Sequence, residues 1–372
     1  MARPRPFQAV RQAVRGAWDL RTRRYALAMS PPPFPHPPAE LANYVGRLTS
    51  DRPELEYEQI GTAARQFVLG MLPRDLSLDG SRVLDFGCGA GRVIRHFDQD
   101  AANAEIWGCD IDAASIAWAT EHLSPPFQFA LSSESPPLPF PDSHFDLIYA
   151  ISVYTHLVDS WSDWMLEMHR LLRPGGFLVF SFLGRGMSMD IARVPWDEEK
   201  IGMIPVKIAT PWSEGGPCVL HSPWWLRAHL GRAFDVIDLV PDGTALTRFV
   251  AKRASGEDDV YLTESDNPPG DGGHGMIALR KDDRPAPTRE QLEAPEPGEP
   301  REFAAMSFAV RHLAGEVTLW REQRNAEHAR AQWMEQALPP NREAQPPDRS
   351  EPDLRPTVES LIDRAQTSID RL

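Results

Sequence analysis

Cysteine is scarce in this chain: Cys88, Cys109 and Cys218 are the only three among 372 residues. Three dispersed thiols cannot build a disulfide framework, and they lack the clustering of a structural zinc site. They read as small buried hydrophobes in a reducing, cytoplasmic protein. Long apolar runs are missing too. No stretch approaches the roughly 18 residues that would cross a bilayer, so a soluble chain is expected. Nor is there an excess of positive charge. Asp and Glu number 53 against 39 Lys and Arg, for a formal net charge of -14. An acidic balance argues against an extended track for a phosphate backbone, and nucleic acid is a disfavoured partner.

One local exception to that balance stands at the start. Residues 1–30 hold Arg3, Arg5, Arg11, Arg15, Arg21, Arg23 and Arg24 against a single acid, Asp19. Phe7, Val10, Val14 and Trp18 recur among them at helical spacing, as in a basic amphipathic helix that packs on its own domain or faces an anionic partner or membrane surface. The segment has no long apolar stretch of the kind a secretory leader carries. Prolines then crowd residues 31–38, which cannot sustain a helix. Segment 1–38 is accordingly a basic arm with a stiff linker, followed by a domain over 39–283.

Within that domain, short apolar runs alternate with helical patterns. Strands are expected at Arg82–Phe86, Glu105–Cys109, Ala130–Leu131, Phe145–Ile151, Phe177–Leu183, Phe234–Leu239 and Gly275–Leu279. Helices fall between them, including Arg92–Phe97, Ala113–His122 and Trp161–Leu172. Near-continuous apolar strands separated by helices imply a mostly parallel sheet covered on both faces. Residues 184–222 are rich in Pro, Gly and Trp and read as a loop-rich insertion over a site. Residues 284–300 mix Pro with charge and read as a linker. A long helix at 301–338 follows, with Phe303, Met306, Val310, Leu313, Val317 and Trp320 in heptad-like spacing that suits packing on the parent domain or a homodimer. A disordered linker at 339–356 leads to a terminal amphipathic helix at 357–372.

The most informative segment is Val83-Leu84-Asp85-Phe86-Gly87-Cys88-Gly89-Ala90-Gly91-Arg92. A strand enters a turn whose glycines let backbone approach a ligand without a Cβ. The order is GxGxG rather than the GxGxxG of nicotinamide binders. Downstream come Gly108-Cys109-Asp110-Ile111-Asp112, then Glu134 to Asp146 reading ESPPLPFPDSHFD, then Leu171-Leu172-Arg173-Pro174-Gly175-Gly176. In this order the four segments resemble class I S-adenosylmethionine-dependent methyltransferases. The resemblance implies a doubly wound, mostly parallel, seven-stranded Rossmann-like sheet, here with N- and C-terminal helical additions.

It also implies S-adenosylmethionine as cofactor and S-adenosylhomocysteine as product. On that resemblance Asp85, Gly87, Gly89 and Gly91 match the positions around the methionine end. Asp110 takes the place of the ribose acid, beside Ile111. Glu134 and Ser133 stand at the adenine amino group, and Ser152 ends the fourth strand. The run Ile151–Leu157 looks like a branch associated with bacterial glycan or natural-product modification.

Methyl transfer from a sulfonium requires an aligned nucleophile and, for an alcohol, a base at its proton. His156, following the fourth strand, is the first candidate base, and His221, before the helix at Pro223, is the second. Tyr154, Arg185 and Trp224 are candidates for orienting the acceptor. No metal-ligand cluster is apparent. The expected activity is therefore metal-independent methylation of an oxygen on a small or saccharide-containing metabolite. Two alternatives stay open: an amine acceptor, and a non-catalytic scaffold that keeps the cofactor fold.

Overall fold

A computed structural model of the protein describes residues 33–44, 48, 50–192, 196–198, 201–207, 216–243, 245, 246, 250, 273–297 and 299. These lie in the first of two units into which the chain divides, Met1–Glu299. The basic arm at 1–30 and the helices expected at 301–338 and 357–372, with the homodimer reading of the former, fall outside the described residues.

Nine strands are described: β1 (Arg82–Phe86), β2 (Glu105–Asp110), β3 (Gln128–Leu131), β4 (Phe145–Ala150), β5 (Leu172–Phe182), β6 (Met203–Val206), β7 (Cys218–His221), β8 (Asp235–Val240) and β9 (Gly275–Arg280). Helices are α1 (Ala39–Tyr44), α2 (Pro53–Gly70), α3 (Ala113–Leu123), α4 (Trp161–Leu171), α5 (Pro223–Leu230) and α6 (Arg289–Glu293). Seven strands form one sheet in the order β3-β2-β1-β4-β5-β9-β8, and β6 and β7 form a separate hairpin. β1 to β5 pair in parallel, whereas β9 runs antiparallel to both β5 and β8. This is the doubly wound, mostly parallel sheet that the alternation of elements implies.

Side chains alternate across each strand, so one run of sequence feeds two cores. Leu84, Phe86, Ile148, Phe180 and Ile277 pack toward α4 and α5, with Trp164, Met168, Leu226 and Leu230. Val83, Ile106, Leu147, Val179 and Ala278 face the other way, toward α2 and α3, with Val68, Met71, Ala119 and Leu123. Burial on both faces is the reason the middles of the central strands carry few polar residues. Among the strand residues, Asp85 and Asp110 stand out as the buried carboxyls.

Local signals set the helix ends. Asp112 accepts from the Ser115 amide at 2.9 Å and caps α3, and Ser222 accepts from the Trp225 amide to cap α5. The α4 carboxyl end is closed from afar. Lys281, just past β9, donates its Nζ to the His169 and Leu172 carbonyls at 2.6 and 2.7 Å. An ammonium suits that end because the terminal carbonyls are unpaired and partly negative.

Three sequence expectations differ from the structure. Residues after the glycine turn form turns and a short 3-10 segment, Ile94–Phe97, rather than a helix from Arg92. There α2 presses in closely: a Cβ on Gly61 would stand 2.1 Å from the Arg92 carbonyl oxygen. The insertion at 184–222 holds the β6–β7 hairpin and a π-helical turn, Ser188–Ala192, and is more than loop. Finally, the stretch read as a linker at 284–300 packs on the domain. Thr288 and Gln291 form a reciprocal cap for α6, whose Leu292 is fully buried against α4 and α5.

Candidate active site

The carboxyl ends of β1, β2 and β4 converge on the glycine turn. Gly87 has φ +80°, and a Cβ built there would lie 2.2 Å from Cγ2 of Val153, so only glycine fits. Gly89 and Gly91 are also left-handed, at φ +51° and +80°. Amides of Gly87 and Cys88 both donate to the Cys109 carbonyl, at 2.8 and 3.0 Å, which ties the turn to the end of β2. There Asp110 accepts from the Gly89 amide at 2.7 Å through one oxygen and from the Asp112 amide at 2.8 Å through the other. Burial raises its carboxyl above the usual range, and the two amides partly offset that.

Asp85 lies one strand away and is 2% exposed. Its Oδ2 is buried with no hydrogen-bond partner. Burial pushes this carboxyl up to about 8; the neighbouring Tyr149 hydroxyl opposes the rise and Asp110 adds to it. A desolvated carboxyl prefers its neutral form, and the charge of Arg92 offsets that only in part. At the end of β3, Ser133 donates to the Ser135 carbonyl at 2.5 Å, and Glu134 is exposed. Ile111 and Leu131 are each about half exposed, at 52% and 53%. Their strands are neighbours, since Asp110 registers with Leu131.

Ser152 ends the β4 side with φ +63°, a left-handed conformation that costs a side-chain-bearing residue free energy. Its amide donates to Ser181 Oγ at 2.7 Å. His156 follows in the same turn, with Nδ1 2.7 Å from the Pro217 carbonyl oxygen. A carbonyl can only accept, so Nδ1 carries the proton and the lone pair is on Nε2. Burial and the charge of Lys207 lower this imidazole below its ordinary range, against the Pro217 bond. The hairpin closes over the turn, as the Val219 amide donates to the Thr155 carbonyl and the His221 amide to the Leu183 carbonyl.

Four other sequence candidates occupy more committed positions. His221 is 3% exposed in β7, and burial pushes it down to about 3. Tyr154 is buried in the core, its ring centroid 4.3 Å from that of Phe180. Arg185 is engaged by Asp242 at 2.8 Å, an acid that also holds the Ala245 amide. Trp224 donates its indole N–H to the Glu198 and Ile201 carbonyls, clasping the insertion to α5. Among the described residues no three His, Cys, Asp or Glu stand together as a metal-ligand cluster.

Residues 84–180 match the family model of a methyltransferase domain. This is a class I S-adenosylmethionine-dependent methyltransferase domain. The chain is 28% identical to a malonyl-[acyl-carrier protein] O-methyltransferase of Enterobacter lignolyticus, over 38% of this chain and 53% of that protein. It is also 28% identical to a ubiquinone biosynthesis O-methyltransferase of Paracidovorax citrulli, over 45% of this chain and 71% of the relative. Methyltransferase GfsG of Streptomyces halstedii is 33% identical over 30% of this chain and 42% of its own. Among solved structures, a S-adenosylmethionine-dependent methyltransferase from Mesorhizobium loti is 20% identical, with a TM-score of 0.43, and covers 59% of this chain and 97% of its own. The chain spans about half the length of several curated relatives it matches.

The methyltransferase domain has groups that suit its cofactor. An orphaned buried carboxylate oxygen on Asp85 matches an amine, and the glycine turn is a cradle that a single Cβ would fill. Exposed apolar side chains at the ends of β2 and β3 match a purine face. Sequence reasoning missed Leu131, which gives no signal beyond a strand residue. It also missed His274, whose Nδ1 is 3.3 Å from Ser181 Oγ. A lone imidazole between Gly273 and Gly275 carries no periodic signal. Only the antiparallel pairing of β9 on β5 brings it to this edge.

Proposed function

We propose that the protein transfers a methyl group from S-adenosylmethionine to a hydroxyl oxygen of a small metabolite, saccharide-containing ones included, without a metal. The observation that carries this reading is His156. It is a neutral imidazole, oriented by the Pro217 carbonyl, at the mouth of the β4 strand and beneath the hairpin. Relatives named as O-methyltransferases for ubiquinone biosynthesis and for malonyl-[acyl-carrier protein] support an oxygen acceptor.

S-adenosylmethionine supplies an electrophilic methyl carbon on a sulfonium when bound. Around it, Asp85 would hold the amine and Asp110 the ribose hydroxyls, through lone pairs not used by the Gly89 and Asp112 amides. Ile111 would cover a purine face, with Glu134 and Ser133 at its amino edge, and Ser152 would line the methionine end. His156 would accept the acceptor hydroxyl proton at Nε2 as the oxygen is alkylated, which a neutral imidazole does near neutral pH. The hairpin excludes water from that transfer.

Donor-dependent turnover of hydroxylated, saccharide, phenolic and amine metabolites, followed by mass spectrometry for a gain of one methylene, tests the reading. Methylated oxygen in the product supports it. Products methylated only on nitrogen overturn the oxygen assignment, and no turnover with any class favours the scaffold alternative.

A further inference from the structure

Ser152, Ser181 and His274 come from three different strands or their ends, yet they form one chain of polar contacts. Ser152 sits at the carboxyl end of β4, Ser181 near the carboxyl end of β5, and His274 immediately before β9. Ser181 Oγ accepts from the Ser152 amide at 2.7 Å and meets Nδ1 of His274 at 3.3 Å. The serine hydroxyl is thus held from two sides. Its acceptance of a backbone N–H fixes the left-handed Ser152, φ +63°, a conformation that does not persist without support.

The next residue gives this support its consequence. Val153 stands where a Cβ on Gly87 would be, 2.2 Å from that position. A relaxation of Ser152 toward ordinary backbone carries Val153 with it and changes the wall against which the glycine turn is set. The electrostatic surroundings agree with such a placement. Burial pushes the His274 imidazole down to about 4, helped by the charge of Arg92, the residue directly after the glycine turn. His274 thus stands at the carboxyl-end edge of β5, in contact with Ser181, and not on a remote surface.

We propose that His274 is a positioning residue for the donor: through Ser181 it holds the Ser152–Val153 turn in the shape that accepts the methionine end of the cofactor. The inference rests on the cofactor reading above. His274 itself need not touch the ligand or the reacting atoms.

The test is calorimetric binding of S-adenosylhomocysteine to the full chain, with melting temperatures recorded in parallel. In the expected result His274→Ala and Ser181→Ala each weaken binding roughly five- to tenfold, the worth of one lost hydrogen bond. The double variant is no weaker than either single one, because both remove the same link. His274→Asn, whose amide occupies the place of Nδ1, restores binding, whereas His274→Gln, which matches Nε2, does not. Single variants that bind like the wild type, additive losses, or equal binding by the Asn and Gln variants would overturn the proposal. Should the alanine variant fail to fold, the Asn and Gln pair decides alone. A wild-type chain that binds no S-adenosylhomocysteine removes the cofactor reading itself, and is thereby distinct from failure of the relay.

Discussion

Asp85 places stability and ligand binding in opposition. Its carboxyl is raised to about 8 by burial. The folded state therefore holds that proton more tightly than the unfolded chain does. The sign follows: this group lowers stability progressively as pH climbs from the ordinary carboxylate range to about 8, and no further above it. Asp85→Asn removes the ionisable group. It should raise the melting temperature of the ligand-free protein at pH 8, by about 2–4 °C for each kcal/mol relieved. The same variant should weaken S-adenosylhomocysteine binding and abolish proton release on binding. Calorimetry in two buffers of different ionisation enthalpy measures both; unchanged proton release would show that another group titrates.

His156 makes a second prediction at this scale. Because its imidazole is lowered below the ordinary value, the base is protonated and lost only in acid. Once an acceptor is found, kcat/KM should climb with pH through a limb below 6.5, the ordinary imidazole value, and be flat through neutrality. His156→Gln should lower kcat by about 10²- to 10⁴-fold, the range for a lost acid–base group, with donor affinity kept. A limb above 6.5 would assign the proton to some other residue.

At the scale of elements, the glycine turn shows how little freedom the donor edge has. Gly87→Ala adds left-handed strain of roughly 1–2 kcal/mol and overpacking against Val153 of about 1–3 kcal/mol. S-adenosylhomocysteine binding should fall below detection in calorimetry while circular dichroism stays that of a folded sheet. Wild-type affinity would mean that the turn can shift without consequence.

The seven strands of the sheet were legible because burial on both faces demands nearly continuous apolar runs, as in Leu147–Ala150 and, but for Asp85, Val83–Phe86. Spaced glycines and strand-end acids were legible for the same reason, since polar groups are conspicuous in such runs. The β6–β7 hairpin was not, as Ile204, Val206, Val219 and Leu220 are set among prolines and glycines that speak for a loop. Nor was the company each candidate keeps: Arg185 and Trp224 look free on paper, and only tertiary contact shows their engagement by Asp242 and by the Glu198 and Ile201 carbonyls.

For the molecule as a whole, the domain reaches further than its composition suggests. Beyond Asp283, α6 buries Leu292, and Glu299 accepts from the Trp225 indole at 3.1 Å and lies 3.2 Å from Nε2 of His229. Proline and charge between 284 and 300 hide this docking from a reading of pattern alone. A chain ending at residue 283 should melt lower than one ending at residue 300. Leu292→Ala in the intact chain should cost about 2–5 kcal/mol. Thermal denaturation of the two truncations checks the docking, and equal melting temperatures would refute it.

The order of strands has a consequence during synthesis. Among the described strands β8 pairs with β9 alone, and β9 must slot between β5 and β8, although it is the last of them to leave the ribosome. Until then β8 has no neighbour in the sheet and the edge lacks its imidazole. A nascent chain stalled before residue 274 should thus be unable to capture S-adenosylhomocysteine, with competence arriving late and in a single step rather than growing with length.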